Sequence, residues 1–333
     1  MRPFDYARPA TREQAVQLLA ATPGRAAVLA GGSDLLALMK DGVVTPERLV
    51  SLQGLQGDHT LRFLRYTAAA GFRIGALTTL ADLAASEVLR LEHPVVAETA
   101  GRLAGPQIRN VATVGGNLCQ RPRCWYFRSG FGLLAAREGA SLVVAGDNRH
   151  HAILGNDGPA YFVTPSTLAP VLIALDAEVV LLGPQGERTI PLEKLYRLPL
   201  AEGEREHDLG PGEILTELQL GPAAGRQVGT WEVRQRETLD WSLATAAVAL
   251  EMEDGRVKRA RVVLGQVAPL PWTSREAESF LTGKTIDEAA ADEAAKLAVQ
   301  GAKPLSKNRY KVQLARVAVR RALLAATGLD REL

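Results

Sequence analysis

Two cysteines in 333 residues leave no material for a disulfide framework, and they leave any thiolate metal site short of ligands unless histidine contributes. Cys119 and Cys124 are therefore read as reduced thiols. Charge of one sign is lacking too: 39 basic residues face 37 acidic ones, without a long block of either, which excludes a broad electrostatic surface for nucleic acid or anionic lipid. No run of about eighteen uninterrupted apolar residues occurs, and Met1-Arg2-Pro3-Phe4-Asp5-Tyr6 lacks the apolar core of a signal peptide. The expectation is a cytoplasmic protein that engages neither membrane nor nucleic acid.

What is present is enough apolar residue, 47% of the chain, for two domains with their own cores. Thr11 caps a helix with Ala15, Val16, Leu18 and Leu19 on one face, stopped by Pro23-Gly24. A short apolar strand over 26–30 then discharges into Gly31-Gly32 and a helical run from Leu35. Further strands are expected over 49–52 and 72–76, with helices opened by Thr79 and Pro94. Residues 120–164 show no sustained period and read as one long, turn-rich functional loop. A helix (169–175) and strands (177–182, 214–220) follow, and Gly221-Pro222-Ala223-Ala224-Gly225 marks a linker between units 1–222 and 226–333. The second unit reads as a small α+β domain: strands over 230–236, 244–252 and 257–265, a hairpin turn at Glu253-Asp254-Gly255, and helices over 274–281, 287–299 and 309–326.

Two glycine pairs carry the functional signal. Ala30-Gly31-Gly32-Ser33-Asp34 and Thr113-Val114-Gly115-Gly116-Asn117 each follow an apolar stretch and together read as a two-sided cradle for the pyrophosphate of a dinucleotide. Glycine admits positive φ, removes the side chain that would hold a phosphate away, and bares N–H donors to the anion. Asp34, beside a presumed phosphate, reads as a helix N-terminal residue favoured by the dipole, since like charge would repel the anion.

With Gln107-Ile108-Arg109-Asn110-Val111-Ala112 ahead of the second pair and Gly212-Glu213-Ile214-Leu215-Thr216 further on, the sequence resembles the FAD-binding middle subunit of the molybdenum hydroxylases, the xanthine dehydrogenase and aldehyde oxidoreductase relatives. The likeness runs from Phe4-Asp5-Tyr6 to Asn308-Arg309-Tyr310-Lys311. It implies an α+β fold: a two-subdomain FAD-binding domain of the molybdenum-hydroxylase and vanillyl-alcohol-oxidase type (about 1–55 and 56–222), then a small α+β C-terminal domain. It implies a non-covalent FAD, a partner subunit with 2Fe-2S clusters, a large partner subunit with the molybdenum cofactor, and thus a hetero-oligomeric oxidoreductase. Val28, Leu29, Ala30, Gly31, Gly32, Ser33, Asp34 and Leu35 would wrap the pyrophosphate from one side, and Thr113, Val114, Gly115, Gly116 and Asn117 from the other. Leu103, Cys119 and Leu215 match positions near the isoalloxazine ring. No residue is assigned a catalytic or metal-binding role.

The sequence also departs from the pattern. Arg123-Cys124-Trp125-Tyr126-Phe127-Arg128 resembles a branch whose flavin subunit holds a 4Fe-4S cluster on four cysteines, but Leu133, Leu142 and Ala160 stand where the other three would be, so no cluster is expected. Thr167 replaces an aspartate that reaches the FAD ribose or adenosine portion. Glu232 replaces a lysine close to the flavin, reversing the sign of the charge, with Arg234 or Arg236 available to compensate. Arg121, Arg123 and Arg128 read as a partner interface or a remnant of the cluster loop, His150-His151 as a solvated pair, Lys311 as a surface lysine, and Trp241 and Trp272 as core or interface anchors. The competing functions are a free-standing FAD-dependent oxidoreductase, a structural subunit that has lost FAD, and a binder of another phosphate-containing ligand.

Overall fold

The computed structural model describes residues 1–55, 57–236 and 240–330. Its N-terminal unit is a three-stranded parallel sheet ordered Asp5–Ala7, Arg48–Ser51, Ala26–Leu29. Parallel neighbours require crossovers, and the helices Arg12–Ala20 and Leu35–Lys40 provide them. The first is capped as its sequence predicts, the Thr11 side chain accepting from the Gln14 N–H, and it buries Ala15, Val16 and Leu19. That face meets Val50, Leu52 and Leu61, and also Leu182 and Ile214 of the next unit, so a shared core fixes the first unit on the second.

The second unit is an antiparallel sheet ordered Leu64–Thr67, Gly71–Gly75, Ile214–Leu220, Glu178–Gly183, Gly186–Pro191. Helices Leu80–Ala85, Pro94–Arg102 and Leu168–Ala174 contribute Leu80, Leu83, Val96, Ala100, Leu172 and Ile173 to the core over it. Thr79 opens its helix through a full capping box with Asp82. The edge strand Leu64–Thr67 and the helix Glu87–Glu92 are additions to the sequence reading. A four-residue strand and a six-residue helix fall at or below the shortest windows in which hydrophobic periodicity can be read.

The last unit is a four-stranded antiparallel sheet, Gln227–Arg234, Ser242–Glu253, Arg256–Gly265 and Trp272–Thr273, with helices Arg275–Leu281, Glu288–Ala298 and Tyr310–Thr327 around it. Asp254 (φ 50°) and Gly255 (φ 74°) make the expected hairpin turn, both in the left-handed region that two-residue hairpins need. These are the α+β layers and the C-terminal domain that the sequence implied.

Residues 120–164 contain only short elements, the helices Trp125–Arg128 and Leu142–Ala145 and a two-residue hairpin. Their order comes from two anchors. Phe127, Leu133, Leu134, Ala160 and Phe162 form a small core with Leu38. On the other side the segment is stitched to the C-terminal unit: the Ile153 and Leu154 N–H groups both donate to the Val267 carbonyl, and the Asn308 side chain donates to the His151 and Ala152 carbonyls at 3.1 Å.

Candidate functional site

The two glycine segments, far apart in sequence, meet in space. An added Cβ on Gly31 would lie 1.8 Å from the Val111 carbonyl oxygen, so the first segment rests directly on backbone leading into the second. The strand Ala26–Leu29 carries Val28 and Leu29, both half-buried, up to this contact. The Ala30 carbonyl is held by the Gln53 side chain at 2.9 Å. Gly32 then turns with φ 74°, Ser33 and Asp34 follow, and Leu35 begins the next helix. No acceptor among the described residues takes the N–H groups of residues 31–35. A row of unmet backbone donors beside glycine is an anion-binding concavity.

The second segment departs from expectation. Gly115 and Gly116 are not in an open turn but in the short helix Val114–Leu118, and neither has positive φ. Thr113 caps this helix, accepting from the Gly116 N–H at 3.0 Å, and the Val114 and Gly115 N–H groups donate to the Thr78 and Ala76 carbonyls. These donors are engaged already. Glycine is needed here for closeness: a Cβ on Gly115 would lie 3.0 Å from that of Ala76, and one on Gly116 2.9 Å from the Thr113 hydroxyl. The segment therefore provides a close wall, and the Thr113 hydroxyl, whose oxygen accepts, keeps its proton to donate. Asn117 accepts from the Ser166 hydroxyl at 2.7 Å, tying the wall to the start of the helix Leu168–Ala174, where Thr167 lies buried.

Leu215 is part of the core of the second unit, and Leu103 and Cys119 pack against that same core. Leu103 sits after the helix Pro94–Arg102, where Arg109 donates to its carbonyl at 3.0 Å and to that of Ala104 at 2.6 Å. Burial pushes the Cys119 thiol up to about 12, which keeps it protonated and inert at neutral pH. Glu232 does not stand as a free charge: its carboxylate accepts from Arg234 at 2.6 Å and from the Ser242 hydroxyl at 2.7 Å. The sign reversal noted in the sequence is thus compensated by Arg234, two residues along the same strand face.

Three readings are corrected. Arg121, Arg123 and Arg128 do not present a free interface but turn inward, with side chains 18%, 29% and 15% exposed. Asp34 collects them, accepting from the Arg121 N–H at 2.8 Å and pairing with Arg128 at 2.7 Å and Arg123 at 3.1 Å, while Arg121 pairs with the buried Glu206. Asp34 is thus the clasp between the first glycine turn and the long loop. The clue in sequence was the run of three arginines without nearby acids. His151 is no solvated residue but 2% exposed, its Nε2 3.1 Å from the Cys124 sulfur, and burial with the charge of Lys311 holds it down to about 4. Lys311 is likewise 1% exposed, donating to the carbonyls of His150, His151 and Gln266. Trp272 packs on the C-terminal core, whereas Trp241 is 43% exposed beneath the Arg123 guanidinium. Cys124 lies against the small core that includes Leu133 and Ala160, and no group of three or more metal-ligating side chains occurs among the described residues.

The clasp makes a testable prediction. Asp34→Ala strips the acceptor from two mostly buried guanidiniums and is expected to destabilise the chain by about 3 kcal/mol, the low end of the range for breaking a buried ion pair because both guanidiniums keep some exposure. Asp34→Asn, which keeps an acceptor oxygen, is expected to lose less. Urea unfolding midpoints, with proteolysis of residues 121–128 as a local readout, would distinguish this from a surface carboxylate, for which both variants would match wild type.

A small parallel unit is thus joined to an antiparallel α+β unit across a glycine-lined seam with an anion-binding concavity, and a further α+β domain lies behind. Residues 2–222 match the family model described as FAD binding domain in molybdopterin dehydrogenase, and 229–326 match CO dehydrogenase flavoprotein C-terminal domain. The chain is 35% identical to the aldehyde oxidoreductase FAD-binding subunit PaoB of Escherichia coli, over 85% of this chain and 87% of that protein. It is 32% identical to the carbon monoxide dehydrogenase medium chain of Afipia carboxidovorans, over 96% and 95%. The solved structure of reconstituted CO dehydrogenase from Oligotropha carboxidovorans superposes with a TM-score of 0.76 at 29% identity, covering 98% of this chain and 99% of that one. The chain belongs to the FAD-binding medium subunits of the molybdenum hydroxylases, components of oxidoreductases with FAD as their cofactor. Among the described residues no helix is long and apolar enough to cross a membrane.

Proposed function

We propose that this chain passes electrons from the 2Fe-2S clusters of a small partner subunit, reduced in turn by a molybdenum-cofactor large subunit, through FAD to NAD, oxygen or another acceptor, in the cytoplasm. The observation that carries the cofactor's placement is the row of unmet N–H donors at 31–35, set against the close wall of 113–117 by the Gly31–Val111 contact. In this reading residues 28–35 hold the pyrophosphate and Thr113 donates its hydroxyl proton to it. Leu103, Cys119 and Leu215 shield the flavin ring from water, Thr167 lies toward the ribose, and the neutral Glu232–Arg234 pair leaves no net charge beside the ring. FAD supplies the redox chemistry, exchanging electrons singly with a cluster and in pairs with an acceptor, while the protein supplies binding, orientation and electrostatics. Residues 1–222 form the cofactor domain and 226–333 the domain behind it.

The test has two stages. The purified chain should show flavin absorbance, and heat should release FAD. In the assembled complex, substrate should bleach the flavin bands anaerobically, and NAD or oxygen, added separately, should restore them. A bound flavin that substrate never bleaches would overturn the electron-transfer reading, and a colourless chain that fails to take up FAD would overturn the proposed site.

A further inference from the structure

A cation without a counter-charge stands beside the proposed position of the flavin. Arg205 is exposed, and its guanidinium takes no hydrogen bond or ion pair among the described residues. We infer that Arg205 contacts the flavin ring and raises its reduction potential. The inference rests on the FAD placement proposed above and assigns a residue that no sequence motif marks.

The fold fixes where Arg205 lies. The Tyr196 hydroxyl donates to the Leu118 carbonyl at 3.0 Å, and Tyr196 forms an antiparallel bridge with His207. Glu206 takes the Arg121 guanidinium on both its oxygens, at 2.5 and 3.1 Å. Residues 205–207 are therefore laid along residues 118–121, the stretch that contains Cys119. Gly116 is exposed there, and Asn117, Cys119 and Gln120 are half-buried, so this side of the 113–117 wall and its continuation is open.

Burial and exposure together define a cleft. Although Arg205 is exposed, the surrounding protein and then repulsion from Arg121 lower its pKa. Cys119 shows the same combination, half-buried yet pushed up to about 12 by burial, and the two groups feel each other's charge. Side chains that protein surrounds while solvent still reaches them line a cleft rather than a convex surface.

The neighbours of Arg205 also say which part of the cofactor it meets. Arg121, Glu206 and Cys119 act on it, whereas Asp34, Arg123 and Arg128, the cluster at the glycine turn proposed to hold the pyrophosphate, do not. Arg205 thus belongs to the Cys119 end of the cleft, where the ring is proposed to lie. Its charge there is uncompensated. Arg121 and Glu206 neutralise each other, Cys119 is protonated, and the Glu232–Arg234 pair brings no net charge of its own. A desolvated cation without a partner costs free energy, and a ligand that brings negative charge relieves it. Flavin does so on reduction, since two electrons and one proton leave the ring with one negative charge. A guanidinium against the ring favours that form.

The FAD-loaded full chain tests this by spectroelectrochemical titration at neutral pH. Arg205→Met keeps an unbranched stem and removes the charge. Reduction is expected to become about tenfold less favourable, a midpoint potential about 30 mV lower for a two-electron couple. Arg205→Lys keeps the charge and should recover most of that difference. Arg197→Met, at another exposed arginine of the same segment, removes the same charge from the chain and should leave the potential at the wild-type value. Because Arg205 has no partner to lose, the thermal midpoint of Arg205→Met without FAD should equal or exceed that of wild type. A potential unchanged in Arg205→Met, or lowered equally in Arg197→Met, would overturn the inference. An FAD affinity that falls while the potential stays would also overturn it, moving Arg205 to the pyrophosphate. A wild-type chain that takes up no FAD would overturn the cofactor site and the inference with it, and flavin content tells the two failures apart.

Discussion

Gly31→Ala is expected to abolish stoichiometric FAD binding and to destabilise the chain by roughly 2–3 kcal/mol or more, the upper range for overpacking a rigid contact. The added Cβ would stand 1.8 Å from the Val111 oxygen and 2.7 Å from its carbonyl carbon, and both are backbone atoms that no rotamer change can move aside. The two segments must part, and with them the donors at 31–35 leave the wall at 113–117. Two controls separate this from a generic glycine effect. Gly32→Ala meets only the end of the flexible Leu36 side chain at 3.0 Å, so its cost is chiefly the φ of 74°, about 1–2 kcal/mol. Gly225→Ala, with φ 68° and nothing within 4 Å, reports that backbone term far from the site. Released FAD per chain and the thermal midpoint are the measurements. A Gly31→Ala chain with wild-type flavin content and the midpoint of Gly225→Ala would refute the close-approach account.

Acid should unfold this protein well before its carboxylates titrate. Burial holds His207 and His151 each down to about 4 against an ordinary 6.5, and His93 and His150 shift the same way. The unfolded chain therefore binds more protons than the native one between these values, and stability falls as pH falls from 6.5 toward 4. Above 6.5 these histidines are neutral in both states and contribute no slope. Each of the two deeply shifted histidines contributes about 1.4 kcal/mol per pH unit inside the window, on the order of 3 kcal/mol across it. Together they approach the total stability of roughly 5–15 kcal/mol that a domain possesses. Urea unfolding at pH 7.0, 6.0 and 5.0, with FAD in fixed excess, is expected to show midpoints dropping steeply, most of the fall lying above the range of unfolded aspartate and glutamate. His207→Gln and His151→Gln cannot take up that proton and should each flatten the slope. A profile flat between pH 7 and 5, or slopes unchanged in both variants, would show that neither ring is held neutral.

The histidines were invisible as a pH device in the sequence because their burial comes from distant partners. His151 lies under Lys311, and His207 packs against Tyr196, with ring centroids 5.5 Å apart. The same holds for the arginines of the long loop. Arg121, Arg123 and Arg128 take no carboxylate from within that loop, and Asp34 and Glu206 come to Arg121 from 87 and 85 residues away. Cys124 and His151, too, are paired only by the folded loop.

What the sequence by itself determined is the set of features whose physics is local. The caps at Thr11 and Thr79 need only a hydroxyl three residues before an N–H, the hairpin at Asp254-Gly255 only two residues tolerant of positive φ, and the first glycine turn only a strand, a Gly and a helix in succession. The family likeness rests on these motifs and on their order. The tertiary structure alone decided which glycine segment offers donors and which offers closeness, because Gly115 and Gly116 form a helix whose N–H groups the Ala76 carbonyl and the Thr113 hydroxyl consume. It also decided where the charges go. Burial and pairing are properties of neighbours brought together across the chain, and no window of sequence contains both members of the Asp34, Lys311 or Glu206 contacts.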